Sequence, residues 1–295
     1  MAIWQALLFA LLQGVTELFP VSSLGHAVII PNLLNWSFRT SSAEFVPFLV
    51  LLHLGTAAAL LFLYRDDWPG IIAGFFRAAA RGRIRGDSER LAYLIVVGSV
   101  PAGIIGFLLE KPLKALFANP RAAAAFLIVN GGLLLGAEFL RRGSERRAIA
   151  TAGSLRGDAG NAHHDLESQF AEVSQLTFRQ AFVVGIFQAL ALLPGISRSG
   201  VTMGGGLLAG LRHEEAARFS FLLATPIILA AGVLEVPQLF DHPAPLGVFA
   251  AAAVVAGLAA YGSARFLLRY FRFGRLDPYA YYCVALGVLA LLLLR

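Results

Sequence analysis

Two short stretches of this 295-residue chain hold the residue types that do covalent chemistry. In the first, Gln13 and Glu17 stand four apart and so stack on one helical face, and Pro20-Val21-Ser22-Ser23-Leu24-Gly25-His26 follows directly. A helix starting near Ser22 would put Ser23 and His26, three apart, on a shared face. The second stretch reads Pro194-Gly195-Ile196-Ser197-Arg198-Ser199-Gly200-Val201-Thr202, followed by Gly204-Gly205-Gly206. Gly195 and Gly200 let backbone N–H groups turn inward, and Ser199 can cap the next helix, whose positive end then faces the same space. Arg198 adds a planar fork of donors suited to phosphate oxygens. This is anion-binding chemistry with phosphate as its natural occupant. A serine within reach of a histidine and a carboxylate is the minimal kit for nucleophilic attack with acid–base help.

The elements that position these residues must lie in a bilayer. The chain is 58% hydrophobic and 14% charged, with a mean hydropathy of +0.71, far from the roughly 45–50% apolar and about 25% charged of soluble domains. A soluble globular enzyme is excluded on that ground. Apolar blocks at 46–63, 122–140, 218–234 and 279–294 run almost without charge and read as membrane spans. The net charge of +6 comes from arginines clustered in the short segments between blocks; that reads as membrane orientation and not as nucleic-acid binding. The single cysteine, Cys283, lies in the last apolar block and excludes an internal disulfide. The first apolar stretch carries Gln13 and Glu17 and has no basic segment before it, so it is expected to be part of the mature protein and not a signal peptide.

Residues 2–19 and 23–35 read as two short helices broken at Phe19-Pro20, followed by long spans at 46–64, 91–109 and 121–140. A polar loop, 141–177, separates this half from a second with the same plan: short helices at 178–193 and 200–211 broken at Leu193-Pro194-Gly195, then spans at 218–236, 246–267 and 279–294. A full crossing needs about 20 apolar residues, so each short pair suggests a re-entrant hairpin. Arg65, Arg77, Arg81, Arg83, Arg85 and Arg90 place the loop 65–90 inside, as Arg141, Arg142, Arg146 and Arg147 do for 141–177 and Arg269, Arg272 and Arg275 for 268–278. The loop 237–245 has no Lys or Arg and suits the outside; 110–120, with Lys111 and Lys114, is an exception. Both termini then lie outside and the two halves have opposite topology. The expected fold is an all-α integral membrane protein: one membrane domain over 1–295, an inverted-topology repeat of 1–140 and 178–295 joined by a cytoplasmic loop 141–177, with two re-entrant helical hairpins and about six transmembrane helices. Such a repeat brings the two broken tips together near the midplane.

Each residue also has a plainer reading. Gln13 with Glu17 could be a helix–helix hydrogen bond, Ser22 and Ser23 could be helix caps, His26 a structural histidine, and Arg198 a pair for Glu17. Their joint occurrence at matching breaks favours a site, because polar groups inside the membrane cost on the order of 2.5–3.5 kcal/mol each on insertion scales. His53, with Gly55 and Thr56, reads as tight helix packing that could lie beside the site. His163, His164, Asp165 and Glu167 read as a solvated loop, and Glu214-Glu215 with Arg212 and Arg218 as an interfacial rim.

At these residues the chain resembles the undecaprenyl-diphosphate phosphatase family of the bacitracin-resistance type, integral membrane proteins of bacteria. The family's (E/Q)-x-x-x-E pattern fits Gln13 to Glu17, Pro-Val-Ser-Ser-x-Gly-His fits Pro20 to His26, and Pro-Gly-x-Ser-Arg-Ser-x-x-Thr fits Pro194 to Thr202. Length and span order agree over the whole chain. The resemblance implies removal of the terminal phosphate of undecaprenyl diphosphate to give the monophosphate carrier for cell-wall synthesis, with bacitracin resistance as a consequence. It also implies the inverted-repeat fold, a homodimer, and the bacterial plasma (inner) membrane with the site open to the outer side. A divalent cation, Mg²⁺ or Ca²⁺, would be held by Glu17 with Gln13. On this reading Ser23 attacks phosphorus, His26 moves a proton, and Glu17 holds the cation or polarises Ser23. Arg198 and the backbone from Gly195 to Ser199 stabilise charge, with Ser22, Gly195, Ser197, Ser199 and Thr202 binding the diphosphate. Attack by His26 instead of Ser23 stays open. So does a different class, a secondary transporter or flippase of a phosphorylated lipid or anion, which would use Arg198 but has no need of the Ser23, His26 and Glu17 group. The prenyl tail is expected to lie between spans, near Gly204 to Gly206 and Ala57 to Ala59.

Overall fold

A computed structural model of the chain describes residues 3–34, 36, 45–109, 116, 119–155, 172–235 and 246–294. Among them are eleven α-helices and one 3₁₀ turn, Val173–Gln175, and no strand. The first half comprises α1 (Ile3–Leu18), α2 (Ser23–Leu33), α3 (Phe45–Leu63), α4 (Trp68–Arg81), α5 (Asp87–Leu108) and α6 (Pro120–Leu155). The second comprises α7 (Phe178–Leu190), α8 (Arg198–Leu208), α9 (His213–Glu235), α10 (Leu246–Tyr270) and α11 (Asp277–Leu293). Five helical stretches are long and apolar enough to cross a bilayer: Phe45–Leu63, Asp87–Leu108, Pro120–Ser144, His213–Val233 and Gly247–Tyr270. The chain is a multi-pass membrane protein. The sixth expected span, α11, is 17 residues, roughly 25 Å at 1.5 Å per residue.

Most of the large helix contacts join chain-distant pairs, α10 against α1 and α3, α11 against α6, α5 against α7 and α9 against α3, while α9 also packs on its chain neighbour α8. Lipid is as apolar as leucine, so van der Waals fit and not water exclusion must hold such pairs, and small residues permit the closest approach. Gly14, one residue from Gln13, is such a point: a Cβ there would lie 2.3 Å from the Ala256 carbonyl oxygen of α10. The outward faces are apolar as lipid requires, with Phe107, Phe139, Val233 and Leu292 largely exposed on the protein surface.

Two segments read as loops are helical. Within 65–90, α4 buries Ile71, Gly74 and Ala78 at helical spacing while Ile72 and Phe76 stay exposed; Pro69 in its first turn and left-handed Gly82 at its end delimit it. Within 141–177, α6 runs on to Leu155. Its first polar residues are anchored: Arg141 donates to the Leu211 carbonyl and Arg142 to the Asp277 carboxylate. The expected solvated cluster His163, His164, Asp165 and Glu167, like Lys111 and Lys114, lies outside the described residues. The expected rim is a set of ion pairs and a turn: Arg218 with Asp67 at 2.8 Å, Arg272 with Glu214 at 3.3 Å, and the Val173 N–H donating to Glu215.

Candidate active site

Both chain breaks end in a serine cap of the following helix. Ser22 caps α2, its Oγ accepting from the Gly25 N–H at 3.1 Å, and Ser197 caps α8, its Oγ accepting from the Gly200 N–H at 3.1 Å. Ser197, and not the expected Ser199, is the α8 cap. Each cap satisfies one of the N–H groups a helix start leaves without a partner. The breaks touch, since a Cβ on Gly25 would lie 3.1 Å from Gly195 Cα. Gly195 adopts φ 106°, and a Cβ there would lie 2.2 Å from the Ala123 carbonyl of α6. Its first task is therefore close packing against α6. Ser22 holds φ 66°, a left-handed conformation costly for any residue with a Cβ.

Glu17, at the end of α1, is the hub. One carboxylate oxygen accepts from Arg198 Nη2 at 2.6 Å. The other accepts from the Ser23 hydroxyl, lies 3.0 Å from His53 Nε2, and meets Gln13 Nε2 at 3.4 Å. The His53 Nδ1 donates to the Leu49 carbonyl one turn back at 2.7 Å, which fixes the ring. Glu17, Ser23, His53 and Arg198 form the polar wall of a cavity of about 420 Å³, with Ser22 and Ser197 beside them and Gln13 behind Glu17. The opposite walls are apolar: Leu24, Phe45, Val46, Leu49 and Val50 on one side, Ile227 and Ile228 on the other. Among the described residues, Arg198 Nη1 and Gln13 Oε1 are buried without a hydrogen-bond partner. A cationic fork with a spare donor, paired to the same carboxylate that holds a serine hydroxyl, is an arrangement that can bind an anion and present it for attack.

Several expected site residues lie elsewhere. His26 is 0% exposed and does not line the cavity. Its Nδ1 donates to the Ser22 carbonyl at 2.7 Å, and its Nε2 meets the Tyr282 hydroxyl of α11 at 2.8 Å with the two rings stacked. A separation of three leaves about 60° between side chains on a helix, which is enough to send Ser23 to Glu17 and His26 to α11. The Ser199 hydroxyl donates to the Phe19 carbonyl at 2.9 Å, and Thr202 joins the Arg198 carbonyl at 2.7 Å and the Ser220 hydroxyl at 2.6 Å. Both tie α8 to its neighbours. Gly204 and Gly206 pack beside Ala137 and Ala216, and Ala57 is in the core, so neither small-residue run lines the cavity. The residue that spacing favoured least is His53. Its one sequence signal is that an ionisable group sits in an apolar span.

Residues 6–289 match the family of the bacitracin resistance protein BacA. The chain is 47% identical to undecaprenyl-diphosphatase 2 of Chromobacterium violaceum over 98% of this chain and 97% of that protein. It is 48% identical to the undecaprenyl-diphosphatase of Acidiphilium cryptum over 98% and 97%, and 48% identical to that of Granulibacter bethesdensis over 97% and 95%.

Proposed function

The chain belongs to the bacitracin resistance protein BacA family, and from that premise we propose that it is an undecaprenyl-diphosphate phosphatase. It hydrolyses the terminal phosphate of the lipid diphosphate, returns the monophosphate carrier to cell-wall synthesis, and confers bacitracin resistance as a consequence. The observation that carries this reading is the Glu17 carboxylate, which links the Ser23 hydroxyl to Arg198 on the polar wall of an otherwise apolar cavity. A diphosphate suits the polar wall and a prenyl chain the rest.

Ser23 Oγ attacks the terminal phosphorus and its proton passes to Glu17, which already accepts it in a hydrogen bond. The bond from phosphorus to the bridging oxygen breaks and the lipid monophosphate leaves. Water then attacks the phosphoserine, phosphate departs, and Ser23 Oγ recovers a proton from Glu17. Arg198 turns its spare Nη1 to the phosphate oxygens while Nη2 stays with Glu17, and the start of α8 adds N–H groups and the positive end of its dipole. Such preorganised donors supply most of the stabilisation in phosphoryl transfer. His53 steadies Glu17, and His26, through the Ser22 carbonyl, steadies the strained turn before Ser23. Ser22 and Ser197 line the cavity beside Ser23 and Arg198, where the diphosphate would bind; Gly195, Ser199 and Thr202 support α8 from behind.

Gln13 turns its Nε2 to the Glu17 carboxylate and leaves Oε1 buried without a partner; with the amide turned over, that oxygen and the carboxylate would suit a hard divalent cation completed by substrate phosphates. Glu17 and Gln13 would hold Mg²⁺ or Ca²⁺, which supplies neutralisation of phosphate charge. The arginine-rich segments and the meeting of the two short-helix pairs at one cavity support the inverted repeat of 1–140 and 178–295 with re-entrant hairpins. Family kinship supports a homodimer in the bacterial plasma membrane with the site facing outward. The test is phosphate release from undecaprenyl diphosphate in detergent with Mg²⁺ or Ca²⁺. Turnover should fall at least about a hundredfold in both Ser23→Ala and Arg198→Ala. Lipid binding by folded protein without phosphate release would overturn the reading in favour of transport.

A further inference from the structure

We propose that Asn130 of α6 is a positioning residue of this site, holding the serine-bearing break and the arginine-bearing break in register. The inference rests on the phosphatase reading and adds to it a residue outside both sequence motifs. Asn130 is 0% exposed. Its Nδ2 donates to the Pro20 carbonyl at 3.1 Å and lies 3.3 Å from Cys283 Sγ, and its Oδ1 accepts from the Ser197 N–H at 2.9 Å. The amide orientation follows from chemistry: a carbonyl must meet the NH₂ group and an N–H must meet the oxygen. Pro20 lies three residues before Ser23, and Ser197 directly precedes Arg198. One planar side chain thus takes one main-chain group from each break, groups that the ends of α1 and α8 leave outside any helical ladder.

Asn130 does not line the cavity, so it acts through the two breaks it joins. Their separation matters because Ser23 and Arg198 must address one phosphate from positions 175 residues apart in sequence (198 − 23). A misplacement of about 1 Å costs on the order of a hundredfold in rate. The other ties between the breaks are the serine hydroxyls on the Phe19 carbonyl, Ser199 at 2.9 Å and Ser197 at 3.4 Å, and the Arg198 pair with Glu17 itself. The hydroxyls rotate and the Arg198 guanidinium must share itself with the substrate; the Asn130 amide does neither.

A residue that merely satisfies buried groups would lower stability when lost but leave each folded molecule working at full rate. The test uses the full-length protein in detergent. It compares kcat and KM for undecaprenyl diphosphate, binding of a methylene-bridged prenyl diphosphonate, and thermal stability. The proteins are wild type, Asn130→Leu, Asn130→Asp and the core variant Leu94→Ala, whose parent side chain is buried away from the cavity. Asn130→Leu is expected to lose about thirtyfold or more in kcat while diphosphonate affinity stays within about threefold. Asn130→Asp, which keeps an acceptor for the Ser197 N–H, should lose less, and Leu94→Ala should lose stability with kcat retained. Asn130→Asp alone decides the matter if the leucine variant does not fold, and a kcat equal to wild type then overturns the proposal. So does a kcat loss in Asn130→Leu no larger than that of Leu94→Ala. A wild type that binds the diphosphonate but releases no phosphate overturns the phosphatase reading itself, whereas full wild-type turnover with unaffected Asn130 variants overturns only the inference about Asn130.

Discussion

Glu17 and Glu138 are both buried carboxylates in apolar helices, and each meets one histidine and one or more arginines. Glu138 on α6 meets His213 at 3.0 Å, the Leu276 N–H at 3.3 Å, Arg142 at 3.7 Å and Arg275 at 4.0 Å. Glu17 meets Arg198 and His53 but also a serine hydroxyl, and it faces a cavity. The arginines about Glu138 are in part exposed, and the cluster staples α6 to the starts of α9 and α11 through His213 and the Leu276 N–H. A buried ion cluster is therefore no site in itself. The candidate site is marked by what surrounds the carboxylate: open volume, a serine hydroxyl, and polar atoms with capacity to spare.

That contrast predicts opposite outcomes from the same conservative change. Glu17→Gln should cut kcat for phosphate release by about a thousandfold, the range of a lost acid–base group, with the protein still folded. His53→Leu should cost about a hundredfold in kcat by leaving Glu17 free to turn, whereas His53→Gln, which keeps an N–H donor, should stay within about tenfold. Equal losses in the two His53 variants would remove the donor role. Tyr282→Phe deletes only the hydroxyl that meets His26 and should lower kcat by about threefold, the scale of one net hydrogen bond. At the other cluster, Glu138→Gln should leave kcat within about twofold while costing about 2 kcal/mol of stability in a thermal or denaturant melt, a buried pair with one partner weakened. A large activity loss there at unchanged stability would abolish the distinction between site and staple.

Much of the site was legible from residue type and local spacing. Gln13, Glu17, Ser22, Ser23, Ser197 and Arg198 all meet at one cavity or its immediate wall, as two polar breaks in apolar sequence predicted. His26 was legible as a polar residue in the membrane but not in its direction, because a motif records spacing along the chain and not which neighbouring helix a side chain faces. Ser199 and Thr202 illustrate the same point: they belong to the motif that forms the site, yet they spend their hydroxyls on Phe19, Arg198 and Ser220. In α4 an amphipathic pattern was present but overshadowed by its arginines.

The sequence by itself determined that the chain is helical and membrane-spanning, where its helices break, and that both breaks gather polar and ionisable residues. Those properties depend on local composition: apolar runs must leave water, and proline, glycine and serine must interrupt and cap helices. Only the tertiary structure decided that His53 and not His26 stands at Glu17, that Gly195 lets the second break seat on α6, and that Asn130 ties the two breaks together. Those depend on the rotation of each helix about its axis and on which distant helix it packs against. Both are settled by the fit of whole surfaces, to which no short stretch of residues has access.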